Sequence, residues 1–280
     1  VSRGNIMKLM RILISILFII VVGSWTVNKI LYITVKDHTA PVITSDRETL
    51  ELSVKDDREK LLEGLSATDD HDGDLTDEIL IGTHSRFISD GVCDITYLVF
   101  DSGNNVGKFT RRVSYTDYTE PQFTLNEPLM FKSGDTVSMF TKISLTDCLD
   151  GDISSKIKII VNDVDSSKIG TYSVTFEASN NYGDVINRKL PVNIVNDTAD
   201  SPQLTLSDYL IYVDVGASVD AKKYLVSVED KYDEKVSLKD VEITSMVDTK
   251  APGVHQVKYT YTDSRGLTGH TFLTVIVGEG

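Results

Sequence analysis

Strict alternation of apolar and polar positions marks one strand in each of three stretches of the chain. Cys93, Ile95, Tyr97 and Val99 share one face, as do Tyr172, Val174, Phe176 and Ala178, and then His255, Val257, Tyr259 and Tyr261. The intervening column holds Asp94 and Thr96, then Ser173, Thr175 and Glu177, then Gln256, Lys258 and Thr260. A period of two with one polar column predicts a half-buried strand. In the first stretch Leu98 and Phe100 interrupt the polar column, so that outer face is expected to be covered by another strand or a partner. Each strand runs into turn residues, at Ser102-Gly-Asn-Asn105, Asn180-Asn-Tyr-Gly183 and Ser264-Arg-Gly266, that tolerate the positive φ of a tight hairpin. A further strand then closes on VSY, VNI or VIV.

The surrounding landmarks repeat in the same order. Asp37-His-Thr-Ala-Pro41 returns 80 residues later as Asp117-Tyr-Thr-Glu-Pro121 and more loosely as Asp197-Thr-Ala-Asp-Ser-Pro202. Pro41, Pro121 and Pro202 suit the start of a first strand, where a missing N–H costs no ladder bond. An acidic segment follows each: DDHDGDLTDEI at 69–79, TDCLDGDISSKI at 146–157, and VEDKYDEKVSL at 228–238, where the glycine is absent. Asp57–Gly64 is the best helical stretch, a turn or two. Length alone would suggest two domains. The repeat instead predicts three, at 37–117, 118–197 and 198–280, each an antiparallel two-sheet sandwich of about seven short strands.

Residues 1–36 follow a different pattern. From Ile12 to Val27 sixteen residues carry no charge, and apolar character resumes after Lys29. Sixteen helical residues span about 24 Å, and continuation to Ile33 gives about 33 Å, enough for a hydrocarbon core of ~30 Å. Trp25 and Tyr32 suit the interface and Lys29 can snorkel. Arg3, Lys8 and Arg11 precede the run, so the positive-inside rule places the N-terminus in the cytoplasm and the repeats outside. The alternative is a signal peptide cleaved near Val21-Val22-Gly23, giving a secreted chain; the length of the run favours a retained anchor.

Charge sharpens this division. The formal net charge is −14, from 42 acidic and 28 basic side chains. Residues 1–36 hold five of the basic residues and no acidic one, so the repeats carry the whole acidic excess. Such a surface argues against nucleic acid, which needs clustered Lys and Arg. The acidity peaks in the repeated loops. Asp69, Asp70, Asp72 and Asp74 supply four carboxylates in six residues, and Asp147, Asp150 and Asp152 supply three. Ca²⁺ takes six to eight such oxygens. Asp117 is expected to join Asp147, Asp150 and Asp152, and Asp37 to approach the first loop. The competing reading, the stronger of the two, makes Asp-Gly-Asp an Asx turn that satisfies its own amides. The loop spacing and lack of flanking helices exclude an EF-hand.

Catalytic motifs are absent from the sequence. His38, His71, His84, His255 and His270 are dispersed, with no H-x-x-x-H or H-E-x-x-H spacing, no G-x-S-x-G and no phosphate-binding glycine loop. Cys93 reads as a buried small hydrophobe and Cys148 lies in a different repeat, so no disulfide is expected.

These landmarks resemble a known family. An Asp…Pro opening, an acidic DGDLT segment and a G-T-Y-x-V-T-F strand with its turn are similar to the Ig-like domain of bacterial surface proteins. That domain type is also repeated in some pesticidal crystal proteins and is similar to hyalin-type repeats. The resemblance covers about 240 of the 280 residues and is most specific in the first two repeats. It implies an extracellular, all-β Ig-like sandwich used as a spacer or binding module. The expectation is therefore three tandem Ig-like sandwiches after one transmembrane helix, acting without catalysis as a cell-surface stalk or adhesion module for a protein or glycan. The alternative is an accessory or sensor ectodomain beside a membrane or cell-wall enzyme. The divergent loop Glu229–Lys235 is the expected tip.

Overall fold

A computed structural model describes residues 3–35, 37–232 and 236–278. Its only α-helix among these, Arg3–Val35, precedes an all-β remainder. Within the helix, Gly4–Ile30 is long and apolar enough to cross a membrane, with mean hydropathy 2.4 and none of it buried. Its polar side chains turn inward on the helix itself. Thr26 Oγ1 donates to Val22 O at 2.8 Å and Asn28 Nδ2 to Ser24 O at 2.9 Å.

Each repeat builds two sheets. In the first, Val42–Ser45, Leu65–Asp69 and Gly73–Asp74 form one, and Thr49–Leu52, Val106–Tyr115, Val92–Phe100 and Leu80–His84 the other, in that order. In the second, Gly151–Asp152, Ile143–Asp147 and Gln122–Leu125 face Lys158–Asn162, Gly170–Ser179, Val185–Val195 and Met130–Lys132. The third pairs Gln203–Leu206 with Leu225–Glu229, opposite Leu210–Val213, Thr268–Val277, Gly253–Thr262 and Glu242–Ser245. Met130–Lys132 and Leu210–Val213 add parallel to the last strand of their repeats; the other pairings of these two repeats are antiparallel. Each first strand begins one residue after Pro41, Pro121 or Pro202, as their missing N–H requires. Asp57–Gly64 yields one 3₁₀ stretch, Arg58–Leu62, with Leu61 buried.

The alternating columns form the cores. Cys93, Ile95, Tyr97 and Val99 are buried, as are Val174, Phe176, Ala178, Val257 and Tyr259. Tyr172, His255 and Tyr261, at the column ends, are only half-buried. On the outer face of the first repeat Leu98 is half-buried and Phe100 remains 42% exposed. Cys93 is in the core and Cys148 half-buried, and no disulfide joins them.

Contacts divide the chain into two compact units. One comprises residues 1–52, 56–84 and 94–114; the other comprises 53–55, 85–93 and 115–280. The second unit thus holds both later repeats, and its core is continuous through them. Leu210 and Ile276 of the third repeat pack in the cluster of Phe123, Phe176 and Leu190. Phe123 N donates to Tyr212 Oη at 2.9 Å. Within this unit Phe87 also stacks on Tyr182, with ring centroids 4.8 Å apart. Of the loop expected as a tip, Asp233–Lys235 lie outside the described residues.

Candidate cation centre

The Asp-Gly-Asp loops owe their shape to one glycine and two turns. Gly73 and Gly151 take φ of +77° and +71°, the left-handed region where a side chain is strained. This lets Asp69 pair with Gly73 and Asp147 with Gly151 across a three-residue hairpin loop. Asp69 Oδ1 accepts from the amides of His71 and Asp72 at 2.8 and 3.0 Å. Asp147 Oδ1 accepts from Leu149 and Asp150 at 2.9 and 2.7 Å. Asp74 and Asp152 each take the amide and hydroxyl of the residue two places on, Thr76 and Ser154. Those bonds hold both carboxyls below the usual carboxylate range. The Asx-turn geometry is therefore present in both loops.

In the first repeat the same turn leaves oxygens over. Carboxylate oxygens of Asp37, Asp69, Asp72 and Asp101 all lie within 4.8 Å of one another. The turn uses Asp69 Oδ1, while Asp69 Oδ2 is buried and has no hydrogen-bond partner. Asp37 repeats this arrangement. Its Oδ1 accepts from the Thr39 amide and hydroxyl, at 2.8 and 2.6 Å, and its Oδ2 is buried without a partner. The Thr39 hydroxyl, then its amide, hold the Asp37 carboxyl below its ordinary range, against a smaller effect of burial. Asp72 accepts from Ser102 N and Oγ at 2.7 and 2.8 Å. Asp101 is 8% exposed and accepts from Asn105 N and Nδ2 at 2.7 and 2.8 Å. Two oxygens up to two metal–oxygen bond lengths apart, about 4.8 Å for Ca²⁺–O bonds of ~2.4 Å, can share one ion.

The second repeat places its homologous residues differently. Asn180 stands where Asp101 stands, and its Nδ2 donates to Asp147 Oδ2 at 3.1 Å and to Tyr118 Oη at 3.0 Å. Tyr118 in turn donates to Asp184 Oδ2 at 2.5 Å. Burial and that carboxylate push the phenol well above its ordinary range. Asp150 is held by Asn181 N and Nδ2, with Lys156 Nζ 3.8 Å away. Asp147, Asp150 and Asp152 are not gathered as the quartet of the first repeat is, and an amide, a backbone turn and a serine bond to them. Asp117 does not join them either. It accepts from Ser53 Oγ and Val54 N, both at 2.7 Å, and these bonds hold its carboxyl low. Asp70 and Asp74 are likewise outside the quartet of the first repeat. Asp101 went unread in the sequence, although it closes the penultimate strand where Asn180 and Asp263 close theirs.

In the third repeat an arginine occupies the corresponding pole. Arg265 Nη2 donates to Asp263 Oδ2 and approaches Asp230 Oδ1 at 3.5 Å. Its guanidinium carbon lies 3.4 Å over the Tyr232 ring. Burial raises the Asp263 carboxyl, but the Leu267 amide and Arg265 outweigh it, and the net direction is down. A carboxylate with a depressed folded pKa contributes stability above its unfolded value, near 3.9, and loses it as pH falls through the folded one. Replacing Arg265 with alanine leaves two buried carboxylates facing each other and reverses that sign. R265A is expected to lower the melting temperature of the full chain more at pH 7 than near pH 3, where the native carboxylate's contribution is already being lost. An equal deficit at both pH values would contradict the role assigned to the guanidinium.

Comparison with known proteins places this architecture. Residues 207–277 match the family model described as "Bacterial surface protein, Ig-like domain". The pesticidal crystal protein Cry22Aa of Bacillus thuringiensis is 27% identical over 222 residues, covering 76% of this chain. The chain spans 29% of that relative's length. Among solved structures, the CBM51-2 and INT domains of Clostridium perfringens ZmpB, in complex with GlcNAc, align over 52% of this chain and 26% of that one. Their identity is 17% and their TM-score 0.23. Drosophila N-cadherin EC1-3 aligns over 71% of this chain and 80% of its own, at 14% identity and TM-score 0.28. The family match falls on the repeat whose acidic loop departs furthest from Asp-Gly-Asp. Residues 207–277, most of the third sandwich, are thus similar to the Ig-like domain of bacterial surface proteins.

Proposed function

We propose that this chain is a membrane-anchored, cell-surface interaction module that binds a protein or glycan without catalysis. The observation that carries the reading is the helix. Gly4–Ile30 presents an apolar surface with none of it buried. Such a surface is unstable in water and matched to a bilayer ~30 Å thick. Thr26 and Asn28 support the reading, because a spanning helix must satisfy its polar groups internally. So does Lys29 Nζ, 4.9 Å from the centre of the Trp25 ring, an arrangement suited to the outer interface. Lys8 and Arg11 before the apolar run, and the acidic repeats after it, orient the N-terminus inward.

Tags at both ends of the full chain test this on intact cells. The C-terminal tag is expected to be lost to added protease, with the N-terminal tag protected until permeabilisation. The intact mass should retain residues 1–36. The opposite protection would overturn the orientation, and a chain shortened near Gly23 would show a cleaved leader. Recovery from those cells with a cell-wall or membrane enzyme, instead of binding to surface protein or glycan, would favour the accessory role.

A further inference from the structure

We propose that Asp37, Asp69, Asp72 and Asp101 bind one Ca²⁺-class divalent cation, which ties the segment leaving the helix to the first sandwich. The later repeats replace this ion with protein groups. Three observations converge. First, the quartet holds two buried carboxylate oxygens, Asp37 Oδ2 and Asp69 Oδ2, that no donor satisfies. Buried polar atoms are nearly always paired, so two orphans in one cluster mark a missing partner. Second, among the described residues no Lys or Arg bridges any of the four.

Third, the other repeats show what the pole requires. The third supplies a guanidinium from Arg265, two residues after Asp263. The position two residues after Asp101 is Gly103, which has no side chain to offer. The second repeat removes one charge by substituting Asn180 and brings in Tyr118 Oη and Lys156. Where Lys156 ends its 3₁₀ turn, Glu78 ends the equivalent turn of the first repeat. The first repeat therefore keeps every charge that its siblings remove or neutralise.

The donor set selects the ion. Four carboxylates with no imidazole or thiolate suit a hard cation, and mixed mono- and bidentate oxygens suit the flexible six to eight coordination of Ca²⁺ over octahedral Mg²⁺. Asp37 lies two residues beyond Val35, the last residue of the helix. Asn105 Nδ2 already holds the Asp37 carbonyl at 3.2 Å. An ion on the Asp37 carboxylate would add a second and stronger tie. The inference stands whether or not the helix spans a bilayer.

The full chain, chelator-stripped in detergent micelles, is titrated with Ca²⁺ alone and followed by calorimetry. One ion per chain is expected, with Mg²⁺ at least tenfold weaker. D101N reproduces the Asn180 solution and should fold, as checked by near-ultraviolet circular dichroism. It and D69N should weaken binding at least tenfold, while D147N leaves it unchanged. Lysyl endoproteinase should cut after Lys36 about tenfold more slowly in Ca²⁺, an effect lost in D101N. No binding at neutral pH by the folded chain overturns the proposal. Binding equally strong in D101N and D69N, or three ions per chain, overturns it too. Ca²⁺-independent cleavage at Lys36 overturns the tie.

Discussion

Replacing Arg111 with alanine is expected to lower the unfolding free energy of the first sandwich by about 3–5 kcal/mol. Arg111 is 2% exposed and lies on the last strand of its repeat, in the column that continues to Val113 and Tyr115. Among the described residues no carboxylate accepts a hydrogen bond from it, although the Asp46 carboxyl feels its charge. Its Nη1 donates to Glu63 O at 2.7 Å and Ser45 Oγ at 3.2 Å, and its Nη2 to Leu61 O at 2.7 Å. The guanidinium carbon is also 5.4 Å from the centre of the Tyr97 ring. Alanine would open a cavity, withdraw the donor from Glu63 O and leave Leu61 O with Tyr97 Oη alone. The other repeats place Leu190 and Leu273 at this position. R111L should therefore cost less, about 1–3 kcal/mol, since leucine fills much of the cavity and, as in R111A, Tyr97 Oη still serves Leu61 O at 2.8 Å. Urea unfolding of the full chain, followed by tyrosine fluorescence, measures both. An R111A midpoint equal to that of the unaltered chain would show that the carbonyls find water instead.

The contrast between Arg111 and its neighbours explains how far the sequence could be read. A period of two needs only residue type, so the inward columns and the three sandwiches were legible. Arg111 breaks the period with a charged side chain, and the groups that make it buriable are backbone carbonyls about fifty residues upstream. Carbonyls carry no sequence mark. The acidic loops were legible as loops for a related reason: Asp-x-Thr and Asp-x-Ser announce a turn whose side chain bonds two residues on. That same spacing removes Asp74 and Asp152 from any shared site, because Thr76 and Ser154 occupy them. Asp37 and Asp117 open identical motifs yet diverge. Asp37 turns to its own Thr39, and Asp117 reaches to Ser53 and Val54. Which loop a linker carboxylate meets depends on strand packing around it, not on the motif.

Asp101 shows the complementary case. Alone it is one turn residue among many. Aligned with Asn180 and Asp263 it becomes the position at which each repeat answers the same electrostatic question differently. Internal repeats thus supply a control that a single domain lacks. A charge removed in one copy, and neutralised in another, identifies the copy in which something else must neutralise it.

Phe176→Ala is expected to destabilise the second unit by about 3–5 kcal/mol, and to do so in the third repeat as well as the second. Phe176 is fully buried, and its ring meets that of Phe123 at a centroid distance of 6.2 Å and an angle of 50°. Such tilted pairs add about 0.5–1.5 kcal/mol beyond the area they bury. Its strand neighbours Val174 and Ala178 face the same core, which leaves little freedom to collapse into the space. The wider effect comes from Phe123. Its amide donates to Tyr212 Oη, and Tyr212 sits on Leu210–Val213, the strand that adds parallel to the end of the third repeat. Leu210 and Ile276 are members of the same buried cluster. A cavity beside Phe123 therefore loosens a contact on which both sandwiches depend. Amide hydrogen exchange should show protection falling together in Gly170–Ser179 and Thr268–Val277. Loss confined to the second repeat would mean that the shared cluster does not couple them, and that each sandwich opens alone.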